Sequence, residues 1–211
     1  MAIELHDVTF AYPGRPVLDR VSLSLPEAGA LCLFGPSGCG KTTVLRLLAG
    51  LEKPQDGRIT GLDGLRTAVV FQENRLLPWL SVLDNVAAVC GGRAGRTHAA
   101  SCLEDVGLAD AAQLQPAALS GGMKRRAAIA RALACDADLL LLDEPFTGLD
   151  GSLWQGIASR LLNRYKGRPI VLVTHIEAEA QALDAPILRL TPAPQAGRLQ
   201  PAEILPGAPI H

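Results

Sequence analysis

The sequence predicts an α/β protein: a phosphate-binding core around a parallel sheet, an antiparallel β-subdomain, and a helical subdomain inserted into the core. Three observations carry this. The apolar run Ala30 to Phe34 leads into Gly35-Pro36-Ser37-Gly38-Cys39-Gly40-Lys41-Thr42-Thr43, then into the helical pattern Val44 to Ala49, closed by Gly50. A second apolar run, Ala137 to Leu142, has no polar face and is followed by Asp143-Glu144-Pro145. Between the two, roughly from Leu76 to Leu119, the pattern turns helical.

The elements follow in order. Ile3 to Tyr12 and Val17 to Leu25 contain alternating apolar and polar residues, and Pro13-Gly14 between them predicts a turn joining a strand pair. Ala30 to Phe34 is a buried strand. Pro54-Gln55-Asp56-Gly57 predicts a turn, Arg58-Ile59-Thr60 a short strand, and Thr67 to Gln72 another buried strand. In the helical stretch Val82, Val86 and Val89 fall on one side, with Leu103, Val106 and Leu108 in the next segment and breaks at Gly91-Gly92 and Gly95. A helix is expected from about Gly121 to Ala134, with Lys124-Arg125-Arg126 as a solvated face opposite Ile129, Ala132 and Leu133. Ala137 to Leu142 is then a strand too apolar to have an exposed face. Helices at Trp154 to Leu162 and Ile176 to Leu183 alternate with strands at Ile170 to Val173 and Ile187 to Leu190. The core domain is therefore placed at 1–190, with its helical subdomain at about 76–119. Residues 191–211 carry five prolines and no periodicity, and are expected to form an irregular, peripheral tail.

Composition narrows the classes. A chain of 211 residues has room for one good core, with or without a small lobe. The formal net charge of −1 provides no basic footprint, so no nucleic-acid partner is expected. The first residues show no signal peptide, and no apolar run is long enough to cross a bilayer. Cys32, Cys39, Cys90, Cys102 and Cys135 are an odd, scattered set that reads as reduced thiols rather than a disulfide frame or metal site. Cys39 lies in the glycine loop and is given no catalytic role.

Strand, glycine loop and helix form the context of a nucleoside triphosphate site. The loop glycines let backbone N–H groups turn toward a polyphosphate, and the helix beginning near Lys41 adds its positive end. Lys41 is expected at the β- and γ-phosphates and the Thr42 hydroxyl on Mg²⁺. Kinases, GTPases and many ATPases share such a loop. The acids after the second apolar run read either as a solvated turn or as chemistry, Asp143 binding Mg²⁺ and Glu144 polarising an attacking water. Ser120-Gly121-Gly122-Met123 is a second anion site, a Ser cap with two glycines exposing the first N–H groups of a helix. Two anion sites in one small domain make sense if they act on one ATP from opposite subunits.

With these residues the chain resembles the nucleotide-binding subunit of an ATP-binding cassette (ABC) transporter, from Ile3 to about Leu190 and in the family's motif order. The resemblance implies that Tyr12 stacks on adenine and that Gly35 to Thr42, with Thr43, form the Walker A loop. It implies that Gln72 is the Q-loop glutamine touching Mg²⁺ and water, that Ser120 to Met123 is the signature motif, and that Leu139 to Glu144 is the Walker B strand with its catalytic Glu. Asp150 then belongs to the D-loop Gly148-Leu149-Asp150, and His175 is the switch histidine. His6, His98 and His211 have no such setting and are read as surface residues. Mg²⁺ is expected on Thr42, Gln72 and Asp143, with Lys41, Gln72, Glu144 and His175 catalytic.

The implied assembly is a head-to-tail dimer with two ATPs between Walker A of one subunit and the signature of the other. It would be docked through the helical subdomain on transmembrane permease subunits at the cytoplasmic side of the inner membrane. Gln72 to Val86 is similar to the corresponding segment of nitrate, sulfonate and taurine importers and of thiamine-precursor relatives, which also implies a solute-binding protein. Three features depart from the family pattern: Met123 for the usual glutamine, Ile176 after the histidine, and a short stretch between Gly50 and Thr67. No C-terminal regulatory domain is expected. The alternatives are the cassette of an exporter, a non-transport soluble machine, or a degenerate cassette that does not hydrolyse ATP.

Overall fold

Period-two burial within apolar strands decides the layering. The structure, a computed structural model, describes residues 2–91, 94–192 and 197–200. Strands β1 (Glu4–Tyr12) and β2 (Arg15–Ser24) form the expected antiparallel pair, followed by β3 (Gly29–Phe34) and helix α1 (Lys41–Leu48). Next come β4 (Asp56–Thr60) and β5 (Thr67–Val70), then the helical subdomain with α2 (Val82–Ala87) and α3 (Ala94–Asp105). The remaining elements are α4 (Gly121–Ala134), β6 (Leu139–Asp143), α5 (Gly151–Arg164), β7 (Pro169–Thr174), α6 (Glu177–Ala182), β8 (Ile187–Pro192) and β9 (Gly197–Gln200).

One sheet runs in the order β4-β1-β2-β9-β8-β3-β7-β6-β5. Strands β8, β3, β7, β6 and β5 are parallel, and β4, β1 and β2 form the antiparallel subdomain. All four leucines of β6 are fully buried because layers cover both faces. Leu140 and Leu142 pack with α2 to α5, whereas Leu139 and Leu141 pack with α1, β1 and β2. The same alternation divides Ile170 and Leu172 from Val171 and Val173.

Several expectations change. The strand expected over Thr67 to Gln72 ends at Val70. Val82 and Val86 are buried, but Val89 lies beyond α2 and is exposed. In the tail, β8 continues to Pro192, and Gly197–Gln200 pairs antiparallel with β8 and touches β2 at Leu18. That stretch is thus regular, the missing periodicity reflecting its shortness. The rest of the expected tail (193–196 and 201–211, with His211) and Gly92 lie outside the described residues. His98 is not a surface residue: it is half-buried, its Nε2 2.8 Å from Nη2 of Arg164, a contact joining α3 to α5. His6 is also half-buried, 3.1 Å from Glu4. All five cysteines are free thiols.

Four of the five parallel strands, β3, β5, β6 and β7, end where a predicted functional segment begins. The glycine loop follows β3, Gln72 follows β5 closely, Asp143 closes β6, and His175 follows β7. This is the edge at which open parallel sheets bind ligands. The end of β7 is fixed from beneath by Glu179 of α6. Its buried carboxylate accepts from Thr174 Oγ1 at 2.6 Å, and the same hydroxyl oxygen accepts from the Ile176 N–H.

Burial pushes the Glu179 carboxyl above its ordinary range, with the Thr174 bond opposing. Folding therefore favours the protonated form. The stability that this contributes is intact below the ordinary value near 4.5 and lost as pH rises through the raised one. Glu179→Gln keeps an acceptor for Thr174 without a charge. We expect its Tm to match the parent near the acid end and to exceed it by about 2–4 °C at neutral pH. Thermal melts across that range check this, and a gap independent of pH would remove burial of charge as the cause.

Candidate active site

The glycine loop closes on α1 through local constraints. Gly40, the residue before α1, has φ of 104° and no side-chain cap, and a Cβ there would come 2.8 Å from Leu18 Cδ2. Only glycine satisfies both demands. The first-turn N–H groups of α1, which have no partners within the helix, therefore stay free for an anion. Pro36, Ser37, Gly38 and Thr42 are exposed, while Gly35, Cys39, Gly40, Lys41 and Thr43 are buried. Lys41 Nζ donates to the loop's own carbonyls, Gly35 O at 2.7 Å and Pro36 O at 2.8 Å, and lies 3.9 Å from Cys39 Sγ. The ammonium is held at the loop's centre, ready to exchange those carbonyls for phosphate oxygens.

Thr42 and Asp143 meet although 101 positions separate them: Thr42 Oγ1 donates to Asp143 Oδ2 at 2.9 Å. Burial raises the Asp143 pKa, while the Thr42 bond, Arg125 and Lys41 pull it down. A hydroxyl and a carboxylate at this spacing suit neighbouring corners of an octahedral Mg²⁺ shell, whose ligands lie about 2.0–2.1 Å from the metal. The donor set fits a hard cation.

Glu144 begins the turn after β6 with φ of 47°, a strained conformation for a side-chain-bearing residue. Its N–H donates to Val173 O at 2.9 Å, locking the turn to β7. The Glu144 Oε1 and His175 Nδ1 atoms lie 3.3 Å apart, with the imidazole largely exposed. A half-buried carboxylate beside an imidazole at the mouth of a phosphate site has the means to orient a water and stabilise a leaving charge.

The other predicted residues stand apart from this cluster. Tyr12 ends β1, half-buried and edge-on to Phe10, and pairs in register with Arg15. Arg15 Nη2 comes within 3.5 Å of the Cβ position of Gly38, so this hairpin flanks the loop. Gln72 is exposed, and no described contact joins its amide to Thr42 or Asp143. Ser120 caps α4, accepting from the Met123 N–H at 3.3 Å, and Met123 packs partly into the core. A Cβ at Gly122 would lie 3.2 Å from Gly148 O, so Gly122 permits close approach of the loop that carries Asp150. Asp150 is exposed at the start of α5. Among the described hydrogen bonds, none joins residues 35–43 to 120–123.

The largest correction concerns α4. Arg125 is 4% exposed, and Arg126, half-buried, donates to Val106 O and Gly107 O, so these residues are not a solvated face. Helical arithmetic contained the signal. Arg125 precedes Ile129 by four residues and Ala132 by seven, which puts it on the buried stripe rather than opposite it. Its guanidinium donates to backbone oxygens of Phe71, Gln72, Asp143, Glu144 and Pro145. The carbonyl dipoles compensate a charge that burial alone would make costly.

Comparisons with known proteins identify the family. The ABC transporter family profile matches residues 18–147. An aliphatic sulfonates import ATP-binding protein, SsuB 2 of Burkholderia cenocepacia, is 45% identical over 194 residues, covering 87% of this chain and 71% of the relative. A protein of the same description from Delftia acidovorans is 42% identical over 90% of this chain and 79% of its own. Among solved structures, the dimeric bacterial ABC transporter cassette MJ0796 superposes with a TM-score of 0.87 at 31% identity, covering 98% of this chain and all of that one. The same cassette bound to ADP and Pi, a post-hydrolysis dimer, gives 0.83 at 28% identity. On this evidence the chain belongs to the ABC transporter family, as its ATP-binding and ATP-hydrolysing cassette.

Proposed function

We propose that this cassette powers an importer of a small solute, as one of two ATPase subunits bound to transmembrane permease subunits. The observation that carries the reading is the 45% identity, across 87% of the chain, to an import ATP-binding protein. A small organosulfonate is the solute class that the relatives' names bring to this chain, and a separate solute-binding protein would deliver it. Among the described residues no helix is long and apolar enough to cross a membrane, and the cassette would sit peripherally at the cytoplasmic side of the inner membrane. Residues 1–190 would form the ATPase domain, to whose sheet the 191–211 segment adds β9 between β2 and β8.

In this reading the loop Gly35 to Thr43 wraps the phosphates, Lys41 turns from its own loop carbonyls to the β- and γ-oxygens, and Tyr12 stacks on adenine. Thr42 and Asp143, with Gln72 from its loop, would hold Mg²⁺, which neutralises phosphate charge when bound. Glu144 orients the attacking water and accepts its proton as the oxygen bonds to the γ-phosphorus, the bond to the β,γ-bridging oxygen breaks and ADP leaves with that oxygen. Lys41 and His175 stabilise the charge that collects on the γ-phosphoryl oxygens. Ser120 to Met123 and Asp150 of the second copy would complete the site. Hydrolysis followed by departure of the phosphate would remove the charge linking the two subunits and let them part, which would move the permease.

A tagged pull-down from mild-detergent membrane extracts tests the transport reading. Recovery of a multi-spanning permease supports it, and recovery from the soluble fraction alone, under several nutrient limitations, overturns it. Glu144→Gln should retain ATP affinity while kcat falls about 10²–10⁴-fold, read by phosphate release beside nucleotide binding. Turnover near the parent rate would remove Glu144 from its role. Thr42→Ala should raise the Mg²⁺ concentration giving half-maximal hydrolysis by about tenfold or more, a scale that even outer ligand partners carry. An unchanged Mg²⁺ titration would take the Thr42 hydroxyl out of the metal shell.

A further inference from the structure

One guanidinium touches the peptide groups on both sides of two residues given separate tasks above. Arg125 Nη1 donates to Phe71 O and, at 3.3 Å, to Gln72 O, engaging the peptides that precede and follow Gln72. Its Nη2 donates to Asp143 O at 2.5 Å and Glu144 O at 2.6 Å, engaging the peptides that precede and follow Glu144. Nε adds Pro145 O at 2.9 Å. A planar, always charged fork holds such a set in fixed relation, whereas a flexible ammonium does not. The preceding peptide of Glu144 is held a second time, by the bond from its N–H to Val173 O. The Glu144 backbone, at φ of 47°, is strained and needs such fixing from its surroundings.

A second arginine of the same helix reinforces the first. Arg131 donates to Asn74 O at 3.0 Å and Arg75 O at 2.8 Å, so α4 grips the segment 71–75 from two positions about 9 Å apart along the helix axis, at about 1.5 Å per residue. Arg125 also lies five residues from Ser120, in the same helix that presents Ser120 to Met123.

We propose that Arg125 is a positioning residue that sets the aim of Glu144 and Gln72 together, through a single network of backbone carbonyls. A displacement of the 71–75 segment is then felt at the turn carrying Glu144, and the reverse. The inference rests on the proposed roles of Glu144 and Gln72 in ATP hydrolysis, and no contact of Arg125 with ATP is required. Arginine is needed here for its fork, more than for its charge.

The test compares parent, Arg125→Gln and Arg125→Lys. Amide hydrogen exchange is read by peptide, and ATP affinity, KM and kcat are measured on the same preparations. In Arg125→Gln, exchange of residues 71–76 and 144–148 should rise about tenfold or more while that of α1 and β6 stays at the parent level. ATP affinity and KM should stay within about twofold, and kcat should fall about 10²-fold, the scale of a misaligned water. Lysine, with charge but no fork, should recover little of kcat. Parent-level exchange in both segments would overturn the proposal. So would a loss of kcat matched by raised exchange throughout the fold, which marks a merely structural arginine, or a lysine variant that restores kcat fully. Should glutamine prevent folding, the lysine variant carries the exchange comparison. If the parent itself binds ATP without hydrolysing it, the ATPase roles fall, while the exchange contrast still decides whether Arg125 joins the two segments.

Discussion

The hydrogen bond from Thr42 to Asp143 is the contact on which the site depends. It joins the first turn of α1 to the end of β6 across 101 residues of chain. Strand β7 lies between β3 and β6 in the sheet, so the bond passes over the end of β7, where Thr174 and His175 emerge. Lys41, Thr42, Asp143, Glu144 and His175 are thereby gathered at one edge. The carboxylate is buried and costly there without counter-charge, and Lys41 and Arg125 both act to lower its pKa. A site that concentrates an acid, a hydroxyl and free helix N–H groups in so little space is suited to a cation and a polyphosphate arriving together.

Helix α4 connects that edge to the helical subdomain, and it does so with arginines directed at carbonyls. Arg125 reaches the ends of β5 and β6, Arg126 the turn after α3, and Arg131 the loop at Asn74 and Arg75. Loop carbonyls are the groups left without partners when a strand or helix stops. A guanidinium satisfies several at once, and this gives irregular segments the definite placement that regular hydrogen bonding gives to strands. The 71–75 loop thus leaves β5 early, at Val70, yet remains fixed.

Much of this was legible in sequence because it follows from short-range pattern. The phosphate loop, the apolar β6 ending in acids, the α4 boundaries and the ends of β3, β6 and β7 beside the site all come from periodicity and turn chemistry within a few residues. The meeting of Thr42 with Asp143 was expected through a shared metal, which needed the fold to be recognised first. What escaped has physical causes. By residue type the triplet Lys124-Arg125-Arg126 points to water, whereas the helical phase of Arg125, shared with Ile129 and Ala132, points to the core. Strand β9 is four residues long and held by partners distant in sequence, so no window of the chain announces it. His98 owes its setting to Arg164, 66 residues away, and nothing in its own neighbourhood shows that.

The proposed second anion site, at Ser120 to Met123, would give the proposed assembly its logic. Ser120 to Met123 and the glycine loop both expose helix N–H groups, yet no described hydrogen bond joins them within the chain. A helix N-terminus stabilises negative charge only over about one turn, so the α4 end does not contribute to phosphate held by α1 unless the two lie close. In the dimeric cassette to which this chain is similar, two copies are present, and a second copy is the simplest supplier of the missing half. Phosphate charge would then be the bond between subunits, made when ATP binds and broken when the γ-phosphate leaves. For such a link to do work, the force must travel from the phosphates to the helical subdomain through parts that do not yield. Within this chain α4 is placed for both requirements: its capped end presents Ser120 to Met123, the residues proposed to face a second copy's nucleotide, and its arginines lie in the loops of its own site.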